Sequence, residues 1–192
     1  MNFDLSDEQR LLMDSVERLM LETYGFDDRR RYRSENPYFS EAMWKRYAEM
    51  GLLALPFSEE HGGYGGGAIE TMIVMEAFGK ALILEPYFAT VVLGGGILRH
   101  GASDARKAKI IPAVAEGRTK LAFAYAEPQS RYDVFDVETT AKKVGHQHLG
   151  AEHRRDRLVT KRAQNVISLR FLSPARVEAA GGDPRGKDLP RT

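Results

Sequence analysis

The 192-residue sequence contains no cysteine. That excludes disulfide bridges and thiolate metal sites, and it removes any argument for an oxidising compartment. No run of about 18 uncharged apolar residues occurs, so no segment reads as a membrane-spanning helix. The longest candidate, Ala68 to Leu84, is interrupted by Glu70, Glu76 and Lys80. The N-terminus is acidic and polar rather than basic and then apolar, so no secretory leader is read, and a cytoplasmic location is expected. What is present is the composition of a globular chain of about one domain: 43% apolar, 29% charged and 9% aromatic residues. The net charge of +1 hides an asymmetry, because residues 145–192 carry ten Lys and Arg against five Asp and Glu, eight of the ten being arginine.

The first 144 residues read as helix after helix. Ser6 and Gln9 have the spacing of a capping box, and Leu12, Val16, Leu19 and Met20 behind it fall on one helical face that Gly25 ends. The run from Asp27 to Asn36 is charged, with Arg29, Arg30, Arg31 and Arg33 read as solvated near a loop, and Asn36-Pro37 marks a turn. Ser40 caps a second helix, with Met43, Trp44, Tyr47 and Met50 inward and Gly51 at its end. Five of the six residues from Gly62 to Gly67 are glycine, which predicts a loop. A third helix fits Ala68 to Ile83, apolar on most sides and so expected to be buried, with Met72, Met75 and Phe78 in the core. A fourth fits Tyr87 to His100, whose internal Gly94-Gly95-Gly96 predicts a close helix–helix approach. A fifth, capped by Ser103, runs through Ala108, Ile111 and Val114, and Pro112 should kink or shorten it. At Lys120 the period changes. Leu121 to Ala126 reads as a short apolar strand, Glu127 to Asp133 as a polar loop, and Thr139-Thr140-Ala141 as a second strand.

That layout and several motifs resemble the acyl-CoA dehydrogenase family. Phe3-Asp4-Leu5-Ser6-Asp7-Glu8-Gln9 is similar to the family's first-helix signature. The segment from Gly51 to Gly63 is similar to its GLLGLPFPEEYGG stretch, and Ala122 to Pro128 to the strand that leads to its Thr-Glu-Pro turn. The resemblance covers roughly residues 1–144 and implies a mainly α fold: a helical N-terminal domain over 1–118, the start of a β domain over 119–144, and no C-terminal helical bundle. Ala-Glu-Pro-Gln-Ser-Arg-Tyr-Asp stands where the family usually has Thr-Glu-Pro-Gly-Ala-Gly-Ser-Asp. This form resembles the branch that includes the small subunit of pimeloyl-CoA dehydrogenase.

The resemblance implies FAD as cofactor and an acyl-CoA as substrate. In the family a glutamate of the C-terminal bundle removes the α proton, and hydride passes from the β carbon to the flavin. Carried over, the flavin contacts are Phe123, Ala124, Tyr125 and Ala126, mainly through backbone groups. Ala126 replaces a threonine and Tyr132 a serine, and Ser130, Arg131 and Tyr132 are the residues assigned to the acyl-CoA. No catalytic residue is assigned, since the family's glutamate lies in the bundle, and Glu76, Glu85 and Glu127 do not replace it. A homo- or hetero-oligomer with another acyl-CoA dehydrogenase subunit is the implied partner.

Past Lys143 the family pattern stops. Where its strand reads Trp-Val-Leu-Asn-Gly, this chain has Leu149-Gly150-Ala151-Glu152-His153. These five residues can be coded CTG-GGT-GCT-GAA-CAC, and the same bases read one position later give Trp-Val-Leu-Asn. Residues 145–192 carry few Leu, Ile, Val and Phe residues, so this Arg-rich tail is expected to be out of frame or disordered, and the chain to be truncated and inactive alone. The other expectation is a non-catalytic helical module that associates with an intact partner without binding flavin.

Remaining motifs have plainer readings. Gly63-Tyr64-Gly65-Gly66-Gly67-Ala68 matches G-x-G-x-x-A of dinucleotide folds, yet no strand precedes it and no βαβ unit surrounds it. Gly79-Lys80 lacks the rest of a P-loop. His146, His148, Glu152 and His153 are read as a chance cluster rather than a metal site. The Arg-rich tail has one aromatic, Phe171, and no nucleic-acid motif, so no specific nucleic-acid partner is expected, and no membrane.

Overall fold

The computed structural model describes residues 4–35, 38–123, 129, 131, 133, 135–136, 141–144, 147–150 and 166–169. The chain divides into two compact units, one of residues 1–123 and 165–169, the other of residues 124–164 and 170–192. The described part of the first unit is helical apart from two short strands.

Helix α1, Asp7–Thr23, starts as its sequence dictates. Ser6 Oγ accepts from the Gln9 amide at 3.2 Å, and Gln9 Oε1 accepts from the Ser6 amide at 3.0 Å, which satisfies two of the donors a helix start leaves open. The other end of the Gln9 side chain donates to Glu70 Oε1 at 2.7 Å, while Glu70 Oε2 accepts from the Gly67 amide that opens α4, Ala68–Ala81. One side chain thus caps its own helix and fastens the two helix starts together. The Gln9 amide is the main reason the Glu70 carboxyl is held below its ordinary pKa.

The charged run does not stay irregular. Phe26–Ser34 forms α2, with Asp27 and Asp28 in its first turn and Arg31 and Arg33 in its last, the arrangement a helix dipole favours. Tyr32 is its buried residue and stacks on Tyr24 with ring centroids 5.2 Å apart. Helix α3, Glu41–Glu49, is capped by Ser40 Oγ and buries Met43, Trp44 and Tyr47.

The glycine-rich loop folds back on the chain before it. The amides of Gly63, Gly65 and Gly66 donate to the carbonyls of Ser58, Phe57 and Leu55. A side chain at Gly63 would bring its Cβ to 2.1 Å from the Phe57 carbonyl oxygen. These glycines serve close backbone packing.

Helix α4 is not buried all round, as its composition had suggested. Ile73, Val74, Ala77 and Phe78 face the core, whereas Ile69 and Met72 are about half exposed. An apolar helix can present a solvent-facing edge without a change in its pattern. After it, Phe88–Gly94 makes a π-helical turn that runs straight into α5, Gly95–Gly101. Helix α6, Asp104–Ala115, contains Pro112 and continues one turn past it.

Two apolar clusters result. The larger holds Val16, Trp44, Tyr47, Leu53, Val74, Phe78, Tyr87 and their neighbours, with the rings of Tyr47, Phe78 and Tyr87 in contact at 4.8 and 5.0 Å. The smaller holds Phe57, Leu98, Ile111, Val114 and Leu121.

Strand β1, Lys120–Phe123, pairs in parallel with β4, Val166–Leu169. In the second unit β2, Ala141–Val144, and β3, Gln147–Gly150, form an antiparallel hairpin. β3 and β4 fall within the Arg-rich tail that was read as out of frame or disordered. The remaining tail residues lie outside the described ones.

Candidate functional site

The strand expected to meet a cofactor rests on a bed built for it. Leu121, in the middle of β1, is buried, and so is Thr90 in the π-helical turn. Thr90 Oγ1 donates to the Leu121 carbonyl at 3.2 Å and accepts from the Leu121 amide at 3.3 Å. One hydroxyl therefore satisfies both backbone groups of one strand residue. One turn on, Gly94 lies so close that a Cβ there would stand 2.5 Å from Leu121 Cβ, and a Cβ on Gly95 would stand 2.9 Å from the Phe57 ring. The glycine triplet does permit a close approach, but the neighbours are a strand and a phenylalanine ring rather than a second helix. Lys120, at the start of β1, pairs with Glu41 at 3.3 Å and lies over the rings of Phe39 and Trp44 at 5.3 and 5.4 Å.

Phe123, half-buried, ends β1 and closes the first unit. Arg131 belongs to the second unit, is exposed, and has a φ of 50°. The other residues assigned from the resemblance, Ala124, Tyr125, Ala126, Ser130 and Tyr132, lie outside the described residues, as does Glu127. In the same loop the Asp133 carboxylate accepts from the Phe135 amide at 2.9 Å, a turn aspartates favour.

The described carboxylates considered as possible bases, Glu76 and Glu85, are committed elsewhere. Glu76 pairs with Lys80 at 3.0 Å, and Lys80 also reaches Glu17 at 3.1 Å. Glu85 is buried and accepts from three donors: the Tyr24 hydroxyl at 2.9 Å, the Tyr47 hydroxyl at 3.3 Å and the Ser40 amide at 3.1 Å. The Tyr24 hydroxyl in turn accepts from the Leu84 amide at 2.8 Å. Burial pushes both phenols above their ordinary pKa, as it does for Tyr87, whose hydroxyl donates to the Leu52 carbonyl. A carboxylate with its lone pairs this fully used is a structural acceptor rather than a poised base. In the sequence Glu85 appeared only as a carboxylate that does not replace the family's glutamate. Its role is invisible there, because its donors sit 61, 45 and 38 residues away.

The glycine-rich match to a dinucleotide motif is settled by the same geometry. Its amides at 63, 65 and 66 are spent on the chain's own carbonyls, so they cannot cradle a phosphate. Clefts open among the described residues of the first unit. One of about 370 Å³ lies between α1 and α4 and is lined by Met20, Leu21, Tyr24, Ala77 and Ala81 with Glu17 and Lys80. Another, of about 410 Å³, is lined by Glu60, His61, Pro112 and Glu116. Its His61 Nδ1 pairs with Ser58 Oγ at 2.8 Å. No helix among the described residues is long and apolar enough to cross a membrane.

Comparison with known proteins converges on one family. Residues 6–118 match the family model "Acyl-CoA dehydrogenase, N-terminal domain". The "Probable acyl-CoA dehydrogenase YngJ" of Bacillus subtilis is 27% identical over 151 residues, which cover 78% of this chain and 39% of that one. Among solved structures, the ChsE4-ChsE5 complex from Mycobacterium tuberculosis superposes with a TM-score of 0.67 at 22% identity, covering 77% of this chain and 39% of its own. The acyl-CoA dehydrogenase of Bacillus anthracis complexed with FAD superposes with a TM-score of 0.63 at 24% identity, covering 72% and 24%. The chain spans about two fifths of the length of the curated relatives it matches. A family model that accounts for the capping box, the glycine loop and every helix up to β1 leaves one assignment: the chain belongs to the acyl-CoA dehydrogenase family, a family of flavoprotein oxidoreductases, through its N-terminal domain.

Proposed function

We propose that the chain serves an FAD-dependent dehydrogenase that introduces an α,β double bond into an acyl-CoA thioester. The observation that carries the reading is the family match over residues 6–118, which ends where β1 leads into the segment that resembles the family's flavin strand. The residue types present suit the cofactor. Phe123 offers an apolar surface at the end of β1 to a flat ring, and the exposed Arg131 offers a fixed cation to phosphate oxygens. Phe123, Ala124, Tyr125 and Ala126 would hold the flavin, chiefly through backbone groups. Ser130, Arg131 and Tyr132 would meet the acyl-CoA and supply the polar contacts that Ala126 cannot. When bound, FAD supplies the hydride acceptor for such a reaction. The chain's part is to orient substrate and ring and to exclude water.

The proposal extends to a partner. The described carboxylates Glu76 and Glu85 are engaged in pairing, and the family's proton-abstracting glutamate belongs to a C-terminal bundle. On this reading the described residues bind without supplying the base, and the chain acts together with another acyl-CoA dehydrogenase subunit. A structure similar in fold that is itself a two-component complex supports that pairing, and the resemblance of the turn to the branch that includes the pimeloyl-CoA dehydrogenase small subunit supports a dicarboxylic acyl group. Titrating FAD with the purified chain tests the reading. Tight binding with a structured flavin spectrum is expected, with no acyl-CoA-dependent dye reduction. Absence of binding would favour the second reading, a non-catalytic helical module, to which the replacements at Ala126 and Tyr132 lend weight. Substantial dye reduction by the pure chain would overturn the need for a partner.

A further inference from the structure

We propose that Thr90 is a positioning residue that fixes the register and depth of β1, and through it Phe123, the first of the residues assigned to the flavin. The inference rests on the functional reading above for its purpose, but its geometry stands alone. A strand residue normally spends its amide and carbonyl on a neighbouring strand. Leu121 spends both on a single side-chain hydroxyl, at 3.3 and 3.2 Å, and Thr90 itself is fully buried. Such a double bond specifies position along the strand. A slip of one residue would present the hydroxyl to Lys120 or Ala122 and turn the buried Leu121 side chain to the opposite face.

Depth is set by Gly94. Its missing side chain leaves room for Leu121, whose Cβ would otherwise stand 2.5 Å from the new atom. Thr90 and Gly94, four residues apart, lie on one side of their segment and meet the same strand residue. The segment, Phe88–Gly94, is π-helical, a form found frequently at functional sites. The turn is itself anchored upstream by Tyr87, whose hydroxyl donates to the Leu52 carbonyl at 3.1 Å. Phe123 lies two residues beyond Leu121 in the same strand. The register chosen at Leu121 is therefore the register at Phe123, the first of the residues assigned to the flavin.

The test uses the full chain with two substitutions. Thr90→Val keeps the shape and removes the hydroxyl, and Thr90→Ser keeps the hydroxyl and loses a methyl group. Amide hydrogen exchange at Leu121 is read first. In the unmodified chain this amide should belong to the slowly exchanging core. Thr90→Val should speed it by on the order of tenfold relative to the amides of α1, the loss of one hydrogen bond, while Thr90→Ser should stay within about twofold. FAD affinity is read second. It should fall on the order of tenfold in Thr90→Val and be restored in Thr90→Ser, with the α1 amides unchanged. A fast Leu121 amide in the unmodified chain, or equal effects of both substitutions, overturns the proposal. So does an FAD affinity that Thr90→Val leaves unaltered. Should Thr90→Val not fold, the unmodified chain and Thr90→Ser still decide the exchange arm. If the unmodified chain takes up no FAD, the functional reading fails by itself, and the Leu121 amide still decides the role of Thr90.

Discussion

Replacing Glu85 by methionine tests whether the buried carboxylate organises the helical unit. The substitution keeps length and removes the acceptor. Three buried donors then lose their partner: the Tyr24 and Tyr47 hydroxyls and the Ser40 amide. A stranded buried polar group costs about 1–3 kcal/mol. Tyr47 makes the longest of the three bonds and contributes least, so the sum is about 4 kcal/mol. Against a total domain stability of about 5–15 kcal/mol that is a large fraction. Urea unfolding reads it directly, because the chain has one tryptophan, Trp44, and it is buried in the same core. The midpoint should fall with little change in slope. The mechanism also predicts non-additivity. Tyr47→Phe alone should cost about 1 kcal/mol, and in the Glu85→Met background it should cost nothing or recover about 1 kcal/mol, because the stranded hydroxyl is gone. A Glu85→Met midpoint within about 1 kcal/mol of the parent, or strictly additive costs, would refute the idea that the carboxylate is the common acceptor.

The remaining predictions concern the same unit. Burial raises the folded-state pKa of Tyr24, Tyr47 and Tyr87 above the ordinary phenol value of 10.0. Their contribution is fully present below that value, and it is lost as the pH rises above it, because only the unfolded chain releases these protons. Stability should therefore fall by about 4 kcal/mol per pH unit above about pH 10, at about 1.4 kcal/mol for each tyrosine, and a flat profile in unfolding experiments from pH 9 to 11.5 would contradict it. Gly63→Ala should destabilise by about 3 kcal/mol or more, because its Cβ would stand 2.1 Å from the Phe57 carbonyl oxygen. Gly62→Ala, with nothing within 4 Å and only a left-handed φ of 84° against it, should cost about 1 kcal/mol. Thermal unfolding of the pair separates crowding from backbone strain.

How far the sequence reveals this molecule depends on the range of the interaction. The capping box at Ser6, the inward face of Met43, Trp44 and Tyr47, and the loop from Gly62 are all local, and the structure has each of them. Helix α2 was missed because its net apolar content is too low to give a periodic signal. Its support comes from charges ordered along the dipole and from one buried tyrosine, Tyr32. Met72 looked like core because composition alone cannot tell which edge of an apolar helix has a neighbour. The pairing of Thr90 with Leu121 spans 31 residues, and the π turn that carries Thr90 has no known sequence signature beyond the glycines that follow it.

These long-range contacts converge on one stretch. Leu84 gives its amide to Tyr24 of the α1 C-terminus, and Glu85 gathers Tyr24, Ser40 and Tyr47. Tyr87 bonds to Leu52 beyond α3, Thr90 to Leu121 of β1, and Gly95 admits the Phe57 ring beside the glycine loop. Twelve consecutive residues, 84 to 95, thus reach the α1 C-terminus, both ends of α3, the turn after it with Phe57, and strand β1. An α-helix alone could not do this, since its own backbone bonds consume its polar groups and its side chains repeat on a fixed period. The stretch instead combines a proline-broken connection, a π turn and a glycine triplet, three features that each weaken a regular helix. Their combined cost is offset by buried hydrogen bonds to four separate elements. The irregularity is thus the means by which one segment bonds to four separate elements.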